Sequence, residues 1–378
     1  MRVLHVTGAF LPVKGGGPYY VHHLSRHLER AGHACHVVTT DAGGEPDVET
    51  VTTTRTPAVT VAGAPVAPTF PATLNRAIRR FDPDVVHANY PLPLYPDAAA
   101  VLGRLRSRPV VLTCHGAFET SVRSLVGVVG AVYNATGLRA TLRLVDRVHV
   151  SNRGVLEAFD AYRRHAAKTS VVPIGVDTAW FDPDAVDGDP PYDVDDDRAT
   201  VLYVGALRRY KGLDDLVDAL ADLVVSRDVR LVVVGEGPER RSLQRRAAER
   251  GVADAVTVLG HVDDATLRRA YAGADVFALP SPSISESLGL VALEAMAMGV
   301  PTVVTAGSGV GRVLSGEAAG LVVEPRAPDA LAAAIGSVLD DPALAADQRV
   351  AGRNLVTDRF DWRSLVGEYV DVYERALR

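Results

Sequence analysis

Short runs of branched apolar residues alternate along this chain with longer stretches whose apolar and polar positions recur at helical spacing. Val3–Thr7, Ala34–Thr39, Val85–Ala88, Val110–Thr113 and Arg147–Val150 are the runs of the first half. Val201–Val204, Arg230–Val234, Val256–Leu259, Val276–Leu279 and Thr302–Thr305 are those of the second. Near-continuous apolar runs describe strands buried on both faces, the condition of a parallel sheet covered by helices. Tyr19–Ala31, Leu213–Val225, Arg240–Arg250 and Leu288–Met298 read as helices between them.

This alternation predicts an α/β protein built from Rossmann-like parallel sheets. The pattern lapses between Asp177 and Asp197. Asp182-Pro183-Asp184, Asp189-Pro190-Pro191 and Asp195-Asp196-Asp197 are too polar and too rich in proline for a buried element. A first domain over residues 1–175, a linker over 176–198 and a second domain over 199–359 follow from that lapse. A chain of 378 residues is long enough for two cores. No shorter repeat is visible, which excludes a solenoid.

Composition narrows the class further. Hydrophobic residues make up 47% and charged residues 23%, the balance of a globular protein rather than a disordered one. A net charge of −6, with no Lys/Arg run, excludes the usual electrostatics of a nucleic-acid partner. Cys35 and Cys114 are the only cysteines, too few for a disulfide framework or a thiolate metal site. No signal-peptide pattern follows Met1, and the uncharged stretch Ser124–Leu138 is shorter than the roughly 20 residues that span a bilayer. A cytoplasmic protein is therefore expected.

In open parallel sheets the ligand lies at the carboxyl ends of the strands, so the residues that follow each run matter most. Lys14-Gly15-Gly16-Gly17-Pro18 follows the first run, and His115-Gly116 the run ending at Thr113-Cys114. Gly205-Ala206-Leu207-Arg208-Arg209-Tyr210-Lys211-Gly212 follows Val201–Val204. A Ser/Pro loop holding Glu286 follows Val276–Leu279 and leads into a helix carrying Glu294. Glycines, cations and carboxylates thus gather at one edge of both sheets.

Each of these has a bland reading as well. A bare glycine backbone at Gly16 can approach a phosphate at a helix start, and an ordinary βα turn looks the same. Arg208 and Lys211 can neutralise a diphosphate, or form a solvated basic turn. Taken as one helix, Glu286 and Glu294 are about 12 Å apart, a spacing suited to two contacts on an elongated ligand. A capping glutamate and a face glutamate have that spacing too. His115 can bond a sugar or pair with backbone; His87 invites the same two readings. Asp82-Pro83-Asp84 has the text of a metal-binding Asp-x-Asp but precedes a strand, at the opposite edge, and reads as a turn.

The stretch Val204–Asp214, together with Glu286-Ser-Leu-Gly-Leu-Val-Ala-Leu-Glu294-Ala-Met-Ala-Met-Gly-Val-Pro301, closely resembles the retaining family 4 glycosyltransferases of GT-B fold. Gly15-Gly16 resembles that family's first glycine loop, and Val172–Asp177 its crossover between domains. The segment 360–378 resembles the family's final helix, which crosses back to complete the first domain.

What the resemblance implies is a cleft between two domains and a metal-independent transfer from a nucleotide-diphosphate sugar, with UDP or GDP as the nucleotide. Lys211 with an Arg would hold the diphosphate, Glu294 the ribose, and Glu286 the transferring sugar. The amides of Leu288, Gly289 and Leu290 would meet a phosphate. Gly16 and Gly205 would line the donor, the backbone near Val262 would hold the base, and His115 would contact the sugar beside the reacting carbon. Retention by same-face attack on a hexose-type sugar is implied too, with a glycan or lipid-linked alcohol as acceptor.

Three departures from the family pattern stand out. Ala206 replaces a common Arg, which makes Arg208 the candidate substitute. Ile174 stands where Asn is common, and Arg312 replaces an acid. A GT-B-like epimerase, a phosphorylase and a non-catalytic sugar-nucleotide-binding protein remain alternatives. The segment 120–147, with Arg123, Arg139, Arg143 and Arg147 among apolar residues, reads either as a helix lying peripherally on an anionic membrane or as a core helix with a basic outer face.

Overall fold

A computed structural model describes residues 1–13, 15–41, 51–61, 64–115, 125–193, 198–283 and 286–378. The chain divides into two compact units, Met1–Gly175 with Trp362–Arg378, and Val176–Asp361.

The first unit contains β1 (Arg2–Val6), β2 (Ala34–Asp41), β3 (Thr53–Pro57), β4 (Val59–Val61), β5 (Ala64–Val66), β6 (Val85–Tyr90), β7 (Val110–Cys114), β8 (Arg147–Val150) and β9 (Thr169–Val171). Seven of these form a parallel sheet in the order β3-β2-β1-β6-β7-β8-β9, while β4 and β5 pair antiparallel. The apolar runs are its centre: every residue of β6 and β7 is buried. The strand β3 carried no such signal, because Thr53-Thr54-Arg55-Thr56-Pro57 sits at the sheet edge, where polar side chains and a proline are tolerated.

The helix Trp362–Leu377 belongs to this unit. Trp362 is fully buried, and a Cβ on Gly175 would come within 2.5 Å of its ring, so the indole lies on bare backbone. Tyr369 donates to the Pro173 carbonyl at 3.0 Å.

A polar layer runs through the middle of this unit. His149 Nε2 lies 2.8 Å from the Val172 carbonyl and must donate to it, which leaves Nδ1 bare in the neutral ring. Thr113 then donates to that Nδ1 at 2.8 Å and accepts from His87 Nε2 at 2.6 Å. His87 Nδ1 accepts from Tyr373 at 2.8 Å. Every link donates in one direction, from Tyr373 to Val172, with both imidazoles neutral. The His5 ring, centred 5.2 Å from that of His87, has no hydrogen-bond partner for either nitrogen among the described residues. Burial pushes His5 down to about 3 and His149 to about 4.

The segment 120–147 is not one helix. Leu125–Ala135 and Gly137–Leu144 are separate helices, broken at Thr136, and Arg147 opens β8 with its guanidinium donating to the Arg375 carbonyl at 3.0 and 3.2 Å. Arg123 lies outside the described residues. The expected basic helix face therefore does not form as a continuous stripe. Among the described residues no helix is long and apolar enough to cross a membrane.

The second unit holds β10 (Ala199–Val204), β11 (Val229–Val234), β12 (Val256–Gly260), β13 (Val276–Leu279), β14 (Thr302–Thr305) and β15 (Leu321–Val323). They form one parallel sheet in the order β12-β11-β10-β13-β14-β15. Residues 176–193 pack on this unit: Val176 donates to the Phe360 carbonyl at 2.7 Å, and Tyr192 to that of Ala270 at 2.8 Å. Asp195-Asp196-Asp197 lies outside the described residues.

Acid should weaken the first unit. An unfolded histidine titrates near 6.5, so below that pH the unfolded chain takes up protons that the fold refuses. Each buried neutral histidine then costs about 1.4 kcal/mol per pH unit, down to its folded value. Thermal unfolding followed from pH 7 to pH 5 is expected to show a falling midpoint, and His5→Phe to flatten part of that slope. A midpoint that does not move would contradict the neutral layer.

Candidate active site

In both sheets the strand order reverses beside the first strand, between β1 and β6 and between β10 and β13. A crevice opens at the carboxyl ends of the strands at such a switch point. In the second unit the two strands flanking it are followed by the loops carrying Lys211 and Glu286.

Close backbone approach shapes the first of these loops. Gly205 leaves β10 at φ 147°, and a Cβ there would come 3.1 Å from the Tyr203 hydroxyl and 3.7 Å from Lys211 Nζ. A Cβ on Gly235 would meet the Gly205 carbonyl at 2.0 Å, so the loops after β10 and β11 touch backbone to backbone. Leu207 donates to the Glu236 carbonyl at 2.9 Å and accepts from Glu239 at 3.0 Å. The 3₁₀ turn Arg209–Lys211 then ends at Gly212, whose φ of 71° lets the helix Leu213–Leu223 begin.

Lys211 is only 7% exposed, and its ammonium forms an ion pair with Glu286. Glu286 is pinned from both sides: its amide donates to the Ser283 carbonyl at 3.1 Å and its carbonyl accepts from Gly309 at 2.9 Å. An ammonium has three donors, so Lys211 keeps capacity for an anionic ligand beyond this bond. Tyr203, fully buried beneath the loop, donates to the Ala206 carbonyl at 3.3 Å. Burial, and then the Glu286 carboxylate, push its hydroxyl well above the usual tyrosine range.

Glu286 and Glu294 do not share a helix. Gly289 adopts φ 80°, which a right-handed helix cannot contain, and the helix runs only from Leu290 to Ala297. The expected separation of about 12 Å along one helix therefore does not apply. Leu288 and Gly289 form the entry to that helix, and Leu290 is its first residue, where amides lack helical acceptors.

Glu294 faces inward. Tyr271 donates to its Oε2 at 2.9 Å and lies 3.0 Å from the Val291 carbonyl. Burial pushes this carboxyl up to about 7, with the Tyr271 hydrogen bond opposing and Asp264 adding to the shift. Arg208 is exposed and makes no ion pair among the described residues. Val262, half-buried, follows β12 just before Asp263, which caps the helix Asp264–Ala272 through a 2.7 Å bond from Thr266.

The remaining candidates lie in the first unit. His115 follows β7, and its Nε2 is shielded from solvent without a hydrogen-bond partner among the described residues. Burial, and then His149, push the ring down to about 3, and its face meets Tyr20 edge-on at 4.9 Å. Gly16 is the first residue of the helix Gly16–Arg30, exposed, with nothing within 4 Å of where a Cβ would stand. Lys14 and Gly116 lie outside the described residues. His87 is committed to the polar layer.

Asp82, left-handed at φ 49°, pairs with Arg108, and Asp84 accepts from the Arg2 amide at 2.7 Å. Both precede β6, at the amino edge. The described residues contain no group of three or more His, Cys, Asp or Glu placed to hold a metal ion. Tyr203 and Tyr271 had no signal in the sequence, because what sets each apart is a carboxylate distant in the chain, Glu286 for Tyr203 and Glu294 for Tyr271.

Two parallel-sheet α/β units in one chain are the architecture of the GT-B class of glycosyltransferase, which uses nucleotide sugars. Residues 14–180 match the profile of Glycosyltransferase Family 4, and residues 189–355 that of Glycosyl transferases group 1. The chain is 31% identical to the glycogen synthase of Mycobacterium tuberculosis, over 100% of this chain and 95% of that one. It is 33% identical to a GDP-mannose-dependent alpha-(1-6)-phosphatidylinositol monomannoside mannosyltransferase of Mycolicibacterium smegmatis, over 79% of this chain and 78% of that one. The structure of a sucrose-phosphate synthase from Thermosynechococcus elongatus superposes with a TM-score of 0.78 at 26% identity, covering 99% of this chain and 98% of that one. The chain belongs to the family 4 glycosyltransferases.

Two left-handed glycines test how tightly the lysine loop is held. A Cβ on Gly212 would lie 2.2 Å from the Pro280 carbonyl, whereas one on Gly299, at φ 69°, would meet nothing within 4 Å. Both alanine variants incur the left-handed penalty of about 1–2 kcal/mol, but only Gly212→Ala must also displace backbone. Thermal denaturation should show the larger loss for Gly212→Ala; equal losses would mean that the loops are not in contact.

Proposed function

We propose that this protein transfers a hexose-type sugar from a UDP- or GDP-sugar to an acceptor hydroxyl, with retention of configuration. The observation that carries the proposal is the buried Lys211–Glu286 pair at the switch point of the second sheet. In this reading the second unit binds the donor and the first receives the acceptor. As the glycosidic bond breaks, the sugar becomes oxocarbenium-like and the diphosphate gains negative charge. Fixed cationic and N–H donors aimed at that charge lower the barrier.

Lys211 supplies the buried positive charge, and Arg208, free at the surface, closes on the diphosphate by bidentate contact. The amides of Leu288, Gly289 and Leu290 receive a phosphate, beside Gly205. Glu286 accepts from hydroxyls of the transferring sugar, Glu294 from those of the ribose, and the backbone at Val262 bonds the base. His115 and Gly16 act from the first unit, His115 as a neutral imidazole that bonds the sugar without adding charge.

The acceptor's proton passes to a leaving phosphate oxygen as the new bond forms on the face the nucleotide leaves. The names of the mycobacterial relatives, a glycogen synthase and a phosphatidylinositol monomannoside mannosyltransferase, support a glycan or lipid-linked acceptor. A lipid-linked acceptor would bring the chain to the inner face of a membrane. The buried thiols of Cys35 and Cys114 suit a reducing cytoplasm.

Lys211→Ala is expected to lower kcat by about 10²–10³-fold in a folded protein, the usual loss for one preorganised transition-state donor. Donor turnover at saturating substrate measures this, and a near-normal kcat would remove Lys211 from the diphosphate. Activity is also expected to survive EDTA, since protein cations carry the charge. Loss on chelation with recovery on Mn²⁺ or Mg²⁺ would overturn the metal-independent reading.

A further inference from the structure

Glu294 has the more unusual setting of the two glutamates. Its helix contributes no other charged residue, and the strands β13 and β14 beneath it are apolar or hydroxylated. Around it the helix Asp264–Ala272 supplies Asp264 and Tyr271, and the helix Pro342–Arg359 supplies Arg349 and Arg353. These arginines donate to the Gly299 and Ala297 carbonyls, at 3.2 and 2.7 Å, rather than to the carboxylate. Arg312 lies on the short helix Gly309–Leu314 and is exposed. Among the described residues, Tyr271 is therefore the side chain that hydrogen-bonds Glu294. Its fully buried ring packs between Phe181 and Phe277, both centred 6.0 Å away.

We infer that Tyr271 is a positioning residue for nucleotide recognition, holding Oε2 of Glu294 so that the other carboxylate oxygen is presented to the donor's ribose. This rests on the reading of Glu294 given above and extends it. The tyrosine hydroxyl has a single proton and lies within reach of both Glu294 Oε2, at 2.9 Å, and the Val291 carbonyl, at 3.0 Å. With Glu294 protonated, the carboxyl donates to Tyr271 and Tyr271 to Val291, so every group is satisfied. With Glu294 ionised, the hydroxyl turns to the carboxylate, which still needs a donor on its other oxygen. Ribose hydroxyls are such donors. Nucleotide binding therefore favours the ionised form, and with the carboxyl poised at about 7 it releases a proton near neutral pH.

Calorimetric titration with UDP and with GDP, from pH 6 to pH 8.5, tests this on the full-length protein, its Tyr271→Phe variant and its Glu294→Gln variant. Wild-type affinity should rise with pH through the region around 7, with proton release seen as a dependence of the heat on buffer. Tyr271→Phe keeps the ring and loses only the hydroxyl. It should weaken binding by about tenfold at pH 7.5 and move the pH midpoint upward, while kcat at saturating donor holds. Glu294→Gln should bind weakly with no pH dependence in this range.

If Glu294→Gln binds like wild type, or neither nucleotide binds wild type at millimolar concentration, the ribose role fails and the inference with it. If Glu294→Gln weakens binding but Tyr271→Phe leaves affinity and midpoint unchanged, the ribose role stands and Tyr271 is removed from it. A fall in melting temperature and affinity with an unmoved midpoint would make Tyr271 structural only. Absence of proton release in wild type overturns the inference without recourse to any variant.

Discussion

A buried ammonium beside a buried carboxylate tolerates little error in the backbones that carry them, because each charge has lost most of its water and depends on the other. Lys211 and Glu286 come from loops after different strands, and their side chains are 9% and 12% exposed. The tight contacts around them follow from that demand. Gly212 lies against the Pro280 carbonyl, and Gly309 against that of Ser287, where a Cβ would come within 1.9 Å. Gly205 and Gly235 bring the neighbouring loop in to the same distance class. Replacing a buried pair by apolar residues is often neutral or stabilising. A pair kept at such expense, at the switch point where ligands bind, is better explained by the ligand than by the fold.

The two units hold their polar groups in opposite ways. In the first, imidazoles and hydroxyls are wired in one direction and carry no charge, from Tyr373 through His87, Thr113 and His149 to Val172. His115 adjoins that layer, with Tyr20 between it and the others. Its ring stays neutral for the same reason theirs do. For the role proposed for His115, a neutral donor is the appropriate group beside a sugar whose own charge is developing, since a cation there would oppose an oxocarbenium. The second unit holds formal charge instead, which suits a diphosphate.

Much of this was legible in the chain. The central strands are runs rich in Val and Leu because both faces are covered, and that condition writes itself into the sequence. The edge of the sheet that carries Lys211 and Glu286 was legible too, since strand ends and loop residues follow directly from those runs. What failed was local geometry set by tertiary contact. The polar edge strand β3 has no apolar run, and the segment 120–147 looked like one helix because its break at Thr136 carries neither glycine nor proline at that position. Glu286 and Glu294 seemed to share a helix because a glycine inside a helical pattern is not itself a stop. Only at φ 80° does Gly289 become one, and its packing against Val310 and Leu279 decides that. Tyr203 and Tyr271 were invisible, because what makes them matter is a carboxylate reached through the fold.

That misplaced helix changes how the two glutamates are understood. Eight positions apart in sequence, they suggested two similar groups set at intervals along one rod. In the fold they have unlike surroundings: Glu286 pairs with the Lys211 ammonium, while Glu294 is buried against the Tyr271 hydroxyl. Surroundings as different as these suit different tasks. A carboxylate fixed beside an ammonium is suited to a centre where charge is moving. One poised near neutrality gains or loses its charge with its ligand, which suits recognition of a group that takes no part in the chemistry. On the proposed reading, a division of labour between sugar and ribose would follow from the surroundings of each carboxyl rather than from the spacing between them in the chain.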